Sequence, residues 1–227
     1  ASVPVILGLF VVLFYVRDEK RNENGVSPHP VKLSLAGFDS NFKRLLVVVA
    51  VFTLSNSTDA FLLLRAQQTG IHPAILPLLW VVLHVSKVGS SLIGGDLSDR
   101  IGRKKLIMSG WIVYALVYCG FAFVDAQWQT WVLFIIYGTY FGMTEGVEKA
   151  LVADLVPEKL RGTAYGLYNL AFGITVFPAS LLFGLIWNQY GSATAFFISS
   201  GVSVLAALML LTINTSPHPL NEKEQAV

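Results

Sequence analysis

Long apolar runs separated by short polar connections set the pattern of this chain. Six of them occupy about residues 41–64, 73–95, 106–124, 128–152, 162–187 and 193–213. Each comes close to the roughly 20 apolar residues that carry an α-helix across a ~30 Å hydrocarbon layer. Hydrocarbon offers the backbone no partners, so such runs predict helices whose N–H and C=O groups pair internally. A shorter apolar stretch, 3–16, comes first and is followed at once by Arg17, Asp18, Glu19, Lys20 and Arg21. At ~21 Å of helix it is too short to span, and its basic residues follow the apolar run, the reverse of a signal peptide. It reads as the end of a helix that begins upstream. The expected fold class is all-α and integral to the membrane. The stretch 1–16 is the end of a helix, 17–40 a polar linker, 41–213 a six-helix unit and 214–227 a polar tail. Within the linker, 31–38 reads as a simple tether by composition, with a short amphipathic element on the membrane surface as the alternative.

Composition agrees with this class. Hydrophobic residues make up 54% of the chain and charged residues 13%, against a usual charged share of about a quarter. The mean hydropathy is +0.63. The lone Cys119 excludes a disulfide within the chain, and the four histidines lack metal-ligand spacing, so neither metal nor cofactor is expected. A phosphate-binding G-x-x-x-x-G-K-[ST] loop is absent, which disfavours an ATP-driven pump. No nucleophile–base or paired-carboxylate arrangement stands out, so an enzyme is not expected. The net charge of +2 gives no reason to expect a nucleic-acid partner.

The bland net charge hides an uneven distribution. Arg17, Lys20, Arg21, Lys32, Lys43, Arg44, Arg100, Arg103, Lys104, Lys105, Lys149, Lys159, Arg161 and Lys223 fall on one side of the six spans; Arg65 alone falls on the other. The excess of Lys and Arg in cytoplasmic loops orients the chain. The linker, the 96–105 loop, the 153–161 loop and the C-terminus are therefore expected in the cytoplasm.

Polar residues within a span are costly and point to function. On the 73–95 helix, Pro73, Pro77, Trp80, His84, Lys87 and Ser91 share one stripe at 100° per residue. Lys87 lies too deep for an interface anchor, and the two prolines favour a bend. On the 41–64 helix, Thr53, Asn56 and Asp59 share a face, and the polar run Ser55–Asp59 suggests a loosened segment. Asp59 is either a cavity group or a partner for Arg65. On the 128–152 helix, Gly138, Gly142 and Gly146 make a smooth stripe for close packing. Tyr137, Phe141, Thr144 and Glu148 adjoin it, and Glu145 lies between the two. Glu145 and Lys87 have similar depth and are expected to pair, although Lys149 at i+4 is a local alternative. His84 brings titration near neutral pH.

Between the second and third spans the chain reads Gly95, Asp96, Leu97, Ser98, Asp99, Arg100, Ile101, Gly102, Arg103, Lys104 and Lys105. This resembles the G-x-L-x-D-R-x-G-R-[RK] signature of the major facilitator superfamily, matched at Gly95, Leu97, Asp99, Arg100, Gly102, Arg103 and Lys104. A second stretch, Pro157 to Gly166 with Arg161, resembles the P-x-x-x-R-[GA]-x-A-x-G pattern that opens the eleventh helix of that family. The resemblance aligns 41–213 with helices seven to twelve and 3–16 with the end of helix six. It implies a gate latch at the first motif, with Asp154 as a partner for Arg100 or Arg103. It also implies lipid-facing support helices at 106–124 and 193–213.

The implied function is secondary transport of a small solute by alternating access between two six-helix halves. The implied partners are the bilayer, an N-terminal six-helix half on the same or a separate chain, and a small-molecule substrate. Trp80, Tyr137 and Phe141 tilt the solute toward an amphiphilic or drug-like one, and Asp59, His84, Glu145 and Glu148 could couple it to protons, although for Glu145, Glu148 and Lys149 structural or gating pairs are the first reading. The alternative is a non-transporting subunit or assembly factor that binds another membrane complex.

Overall fold

The computed structural model describes Phe10 and residues 34–214. The apolar stretch 3–16, most of the linker and the 214–227 tail fall outside the described residues, apart from Phe10, 34–40 and Asn214. The remainder is helical, with no strand among the described residues. The helices are α1 (Ser40–Ser55), α2 (Ala60–Gln68), α3 (Leu76–Ile101), α4 (Arg103–Phe123), α5 (Gln127–Asp154), α6 (Arg161–Tyr190) and α7 (Ser192–Leu210). Single 3₁₀ turns, Pro73–Ile75 and Glu158–Leu160, lead into α3 and α6. Residues 34–39 form turns instead of a surface helix, and the buried Phe38 ring packs 4.6 Å from that of Phe42.

Among the described residues, five segments are long and apolar enough to cross a membrane: Ser40–Gln68, Pro73–Ile101, Arg103–Phe123, Glu158–Tyr190 and Ser192–Leu210. The sixth expected span, α5, is 28 residues or ~42 Å long but falls short in apolarity. Its glycines, threonines and glutamates explain the shortfall, because α3 and α4 flank it with protein.

α3 and α5 pack in close contact. A Cβ on Gly138 would lie 2.5 Å from Ser86 Cβ, and one on Gly142 would run into Ser90. Gly94 of α3 likewise abuts the Gly142 carbonyl. The backbones therefore meet through small residues, and hydroxyls cross the seam: Ser86 Oγ donates to Ile135 O at 2.6 Å and Ser90 Oγ to Gly138 O at 3.2 Å. Gly146, expected to extend this stripe, meets nothing within 4 Å. One turn past Gly142 the helices have diverged.

The first span is broken. α1 ends at Ser55 and α2 begins at Ala60. Four polar side-chain or backbone links hold the break in place. Tyr114 OH donates to Ser55 O at 2.8 Å, Ser57 Oγ meets Tyr118 OH at 3.2 Å, Thr58 N donates to Ser180 Oγ at 3.2 Å, and Tyr137 OH donates to Asp59 Oδ1 at 2.8 Å. Arg65 is not the partner of Asp59. Its guanidinium instead donates to Phe121 O at 3.0 Å and Val124 O at 2.8 Å, satisfying the carbonyls at the end of α4.

The expectation for 106–124 needs correction. In α4, 56% of the most apolar stretch is buried, against 11% in the α3 and α6 spans. Trp111, Tyr114 and Tyr118 are fully buried at the centre of the bundle, and only Ile112, Leu116 and Phe123 form an outer apolar edge. An inward face made of aromatic rings is as apolar as a lipid-facing one, so composition cannot separate the two. Pro73 and Pro77 also differ from expectation. They sit in the 3₁₀ turn and the first turn of α3, where a missing N–H costs nothing.

Candidate functional site

The divergence of α3 and α5 beyond Gly142 opens a cleft of about 620 Å³. Volumes of 300–1,000 Å³ are usual for sites of small ligands. From α3 the cleft receives Lys87, Ser91, Gly95, Ser98 and Asp99; from α5 it receives Phe141, Glu145, Gly146 and Lys149; and Arg103 closes one end. Glycine at 146 leaves the floor of the cleft without a side chain.

At the centre Lys87 Nζ lies 2.6 Å from Glu145 Oε2, with the two side chains 33% and 51% exposed. The ammonium also sits 4.6 Å from the centre of the Phe141 ring, in cation–π range. The pairing is across the helices, so Glu145 does not take the i+4 alternative of Lys149. Shared depth had predicted this contact.

The other expected residues separate into groups. Trp80 and His84 lie just beyond the cleft on the open apolar side of α3, with His84 Nδ1 2.8 Å from Trp80 O. Asp59 and Tyr137 belong to the break in the first span, and Asn56 is partly buried beside them. Thr144 is buried and bonds to Tyr140 O at 3.0 Å within its own helix. Glu148 turns away from the cleft: its two oxygens accept from Trp111 Nε1 at 2.9 Å and Tyr168 OH at 2.6 Å, tying α4, α5 and α6 together.

The stretch 95–105 is helical except for one residue. Gly102, at φ +93°, makes the turn between α3 and α4, a conformation that disfavours any side chain. Around it the charges act as staples at the basic end of the bundle. Arg103 pairs with Asp154 at 2.5 Å and donates to Ala150 O at 2.8 Å, joining α4 to the end of α5. Lys104 Nζ donates to Leu211 O at 2.9 Å and Ile213 O at 2.7 Å, capping the end of α7. Arg100 bonds to Asp96 on its own helix at 2.9 Å, so Arg103 alone takes Asp154. Leu97 packs against the core and Gly95 opens onto the cleft. Asp99 faces the cleft and Arg161 starts α6; among the described residues neither forms an ion pair. The Lys104 cap and the serines of the α3–α5 seam were not anticipated, because both depend on which turns of two helices meet.

Fold and cleft together define a polytopic α-helical membrane protein with an ion pair, Lys87–Glu145, set in an open groove. The Major Facilitator Superfamily profile matches residues 1–147 and, in a second register, 45–227. The chain belongs to that family. An uncharacterized MFS-type transporter of Methanocaldococcus jannaschii is 31% identical over 219 residues, 93% of this chain and 54% of the relative. The multidrug resistance protein MdtG of Escherichia coli is 27% identical over 198 residues, 81% of this chain and 48% of the relative. The chain thus spans about half the length of the curated relatives it matches. Among solved structures, a peptide transporter POT in complex with sulfate matches with a TM-score of 0.65 at 16% identity, over 85% of this chain and 43% of that one. The POT family transporter PepTSo matches at 0.63 and 17%, over 80% and 39%. These two likenesses concern the fold.

Proposed function

We propose that residues 41–213 act as the C-terminal six-helix half of a secondary active transporter, joined through 17–40 to an N-terminal half, with the basic end in the cytoplasm. The α3–α5 cleft forms this half's share of the solute path. The observation that carries the reading is the Lys87–Glu145 pair, held in an open groove and walled by Phe141. An intramembrane ion pair that only stabilised the bundle would be better enclosed, where no solute could reach it. The cleft offers the Lys87–Glu145 pair together with Asp99, Arg103 and Lys149, the Ser91 and Ser98 hydroxyls and an aromatic face. That combination suits a small amphiphilic solute, and Glu145 is placed to link its movement to protons. The arrangement at the basic end, Arg103 on Asp154 and Lys104 on the end of α7, serves as the latch of one access state.

Flux through the protein with both halves, reconstituted in proteoliposomes, tests the reading. A pH gradient is imposed, a panel of amphiphilic fluorescent solutes is added, and internal pH is followed. The expected result is saturable solute movement that collapses the gradient, reduced at least about tenfold by Glu145→Gln. Movement no greater than in protein-free vesicles across the panel would count against it.

A further inference from the structure

Three couples of opposite charge stand along the α3–α5 cleft, and two of them are closed. Lys87 is 2.6 Å from Glu145, and Arg103 is 2.5 Å from Asp154 at the basic end. Between these pairs lie Asp99 and Lys149, both exposed and both lining the cleft. Gly142 meets Ser90 and Gly94 of α3, and the two helices run parallel. Lys149, seven residues beyond Gly142, therefore stands level with 97–101, a stretch centred on Asp99. Yet Asp99 and Lys149 stay more than 4 Å apart, and among the described residues neither forms a hydrogen bond or an ion pair. Their nearest alternatives along the chain are taken. Arg100 is on Asp96 and Arg103 on Asp154, while Glu145 is on Lys87 and Glu148 accepts from Trp111 and Tyr168. Gly95 and Gly146, one turn before the two charges, put no side chain into the cleft beside them.

We propose that Asp99 and Lys149 bind the head group of a zwitterionic solute, its ammonium on Asp99 and its anionic group on Lys149. This rests on the transport reading and names the class of its solute. Charge balance decides the class. An anion would satisfy Lys149 and leave Asp99 unpaired; a cation would do the reverse. Once the solute displaces water from the cleft, a charge left without a partner is costly. A solute carrying both signs closes the open couple and leaves the cleft neutral. The apolar end of the solute follows from the geometry as well. Phe141 stands eight residues before Lys149 on the same helix, a distance of ~12 Å toward the Lys87–Glu145 pair. A head group held by the open couple directs an apolar tail along the cleft to that ring.

Three probes that share a phenyl ring test this at equilibrium, without any flux. At neutral pH L-phenylalanine carries both charges, 2-phenylethylamine the cation alone and 3-phenylpropanoate the anion alone. Their binding to the protein with both halves, purified in an uncharged detergent, is measured by calorimetry. Phenylalanine is expected to bind at least about tenfold more tightly than either of the others. Lys149→Met is expected to lose that advantage and to prefer phenylethylamine. Asp99→Asn is expected to lose it in the other direction and to prefer phenylpropanoate. Such opposite switches separate recognition from a merely structural role, because a damaged fold weakens all three probes alike. Thermal midpoints show which variants are folded, and Lys149→Met alone suffices if Asp99→Asn is not. A wild-type protein without preference for phenylalanine, or a folded Lys149→Met protein that keeps the wild-type order, would overturn the proposal. The expected preferences in a protein that moves no solute would instead count against the transport reading alone.

Discussion

Gly142→Val is expected to prevent the bundle from assembling, whereas Gly146→Val, one turn further along the same helix, is expected to leave it folded. The two glycines look equivalent in the sequence. In the structure a Cβ at 142 would collide with Ser90 backbone and hydroxyl atoms, so α3 would have to move away from α5. Forcing side-chain atoms into a close-packed contact costs about 1–3 kcal/mol, and a clash with backbone lies at or above the upper end. Moving α3 would also break the Ser90–Gly138 and Ser86–Ile135 hydrogen bonds. At 146 nothing lies within 4 Å of the added carbon, but the isopropyl group would fill the floor of the cleft. Thermal midpoint measured alongside flux separates the two outcomes. Gly142→Val should lose the folded protein; Gly146→Val should keep its midpoint and lose flux.

The second large effect is expected at Lys87. Lys87→Ala should cost little stability and abolish transport. The pair is one-third to one-half exposed, and ion pairs at that exposure are worth about 0–1 kcal/mol. A folding midpoint close to wild type is therefore expected. Transport should fall at least tenfold, because the alanine protein leaves Glu145 without its cation, and a tenfold loss corresponds to ~1.4 kcal/mol. Lys87→Arg keeps the charge but not the compact ammonium, so it should retain stability and part of the flux. A Lys87→Ala protein that unfolds yet transports normally when stabilised would mark the pair as structural only.

Several parts of this architecture were legible before the structure. Apolar runs located the helices, and Ser55 to Asp59 was too polar to remain regular helix, as the break confirms. Similar depth made the Lys87–Glu145 contact one of two pairings open to Glu145, and it is the one formed. What stayed hidden depends on register between helices. Nothing local distinguishes Gly142 in contact from Gly146 facing open space. Pairing of Arg65 with Asp59 was one of two readings; Arg65 instead satisfies the end of α4, an arrangement made only when two helix ends meet. The central position of α4 was invisible because Trp111, Tyr114 and Tyr118 are apolar by composition whether they face protein or lipid. For Glu148 the sequence left a structural role and proton handling both open, and did not show its partners. Its spacing placed it beside Tyr137 and Thr144, yet its acceptors are used by Trp111 and Tyr168.

The central claim is that the α3–α5 cleft is a solute path open to the two sides of the membrane in turn. Labelling a single cysteine at Ser91 tests it most directly, in the protein with both halves and with Cys119→Ser removing the native thiol. Ser91 lines the cleft and, among the described residues, bonds to Val88 O of its own helix, so the substitution disturbs little. A membrane-impermeant maleimide is applied from each side of oriented vesicles, with and without a pH gradient. The account predicts labelling from both sides, in proportions that the gradient shifts in opposite directions. Labelling from one side only, unchanged by the gradient, would contradict it.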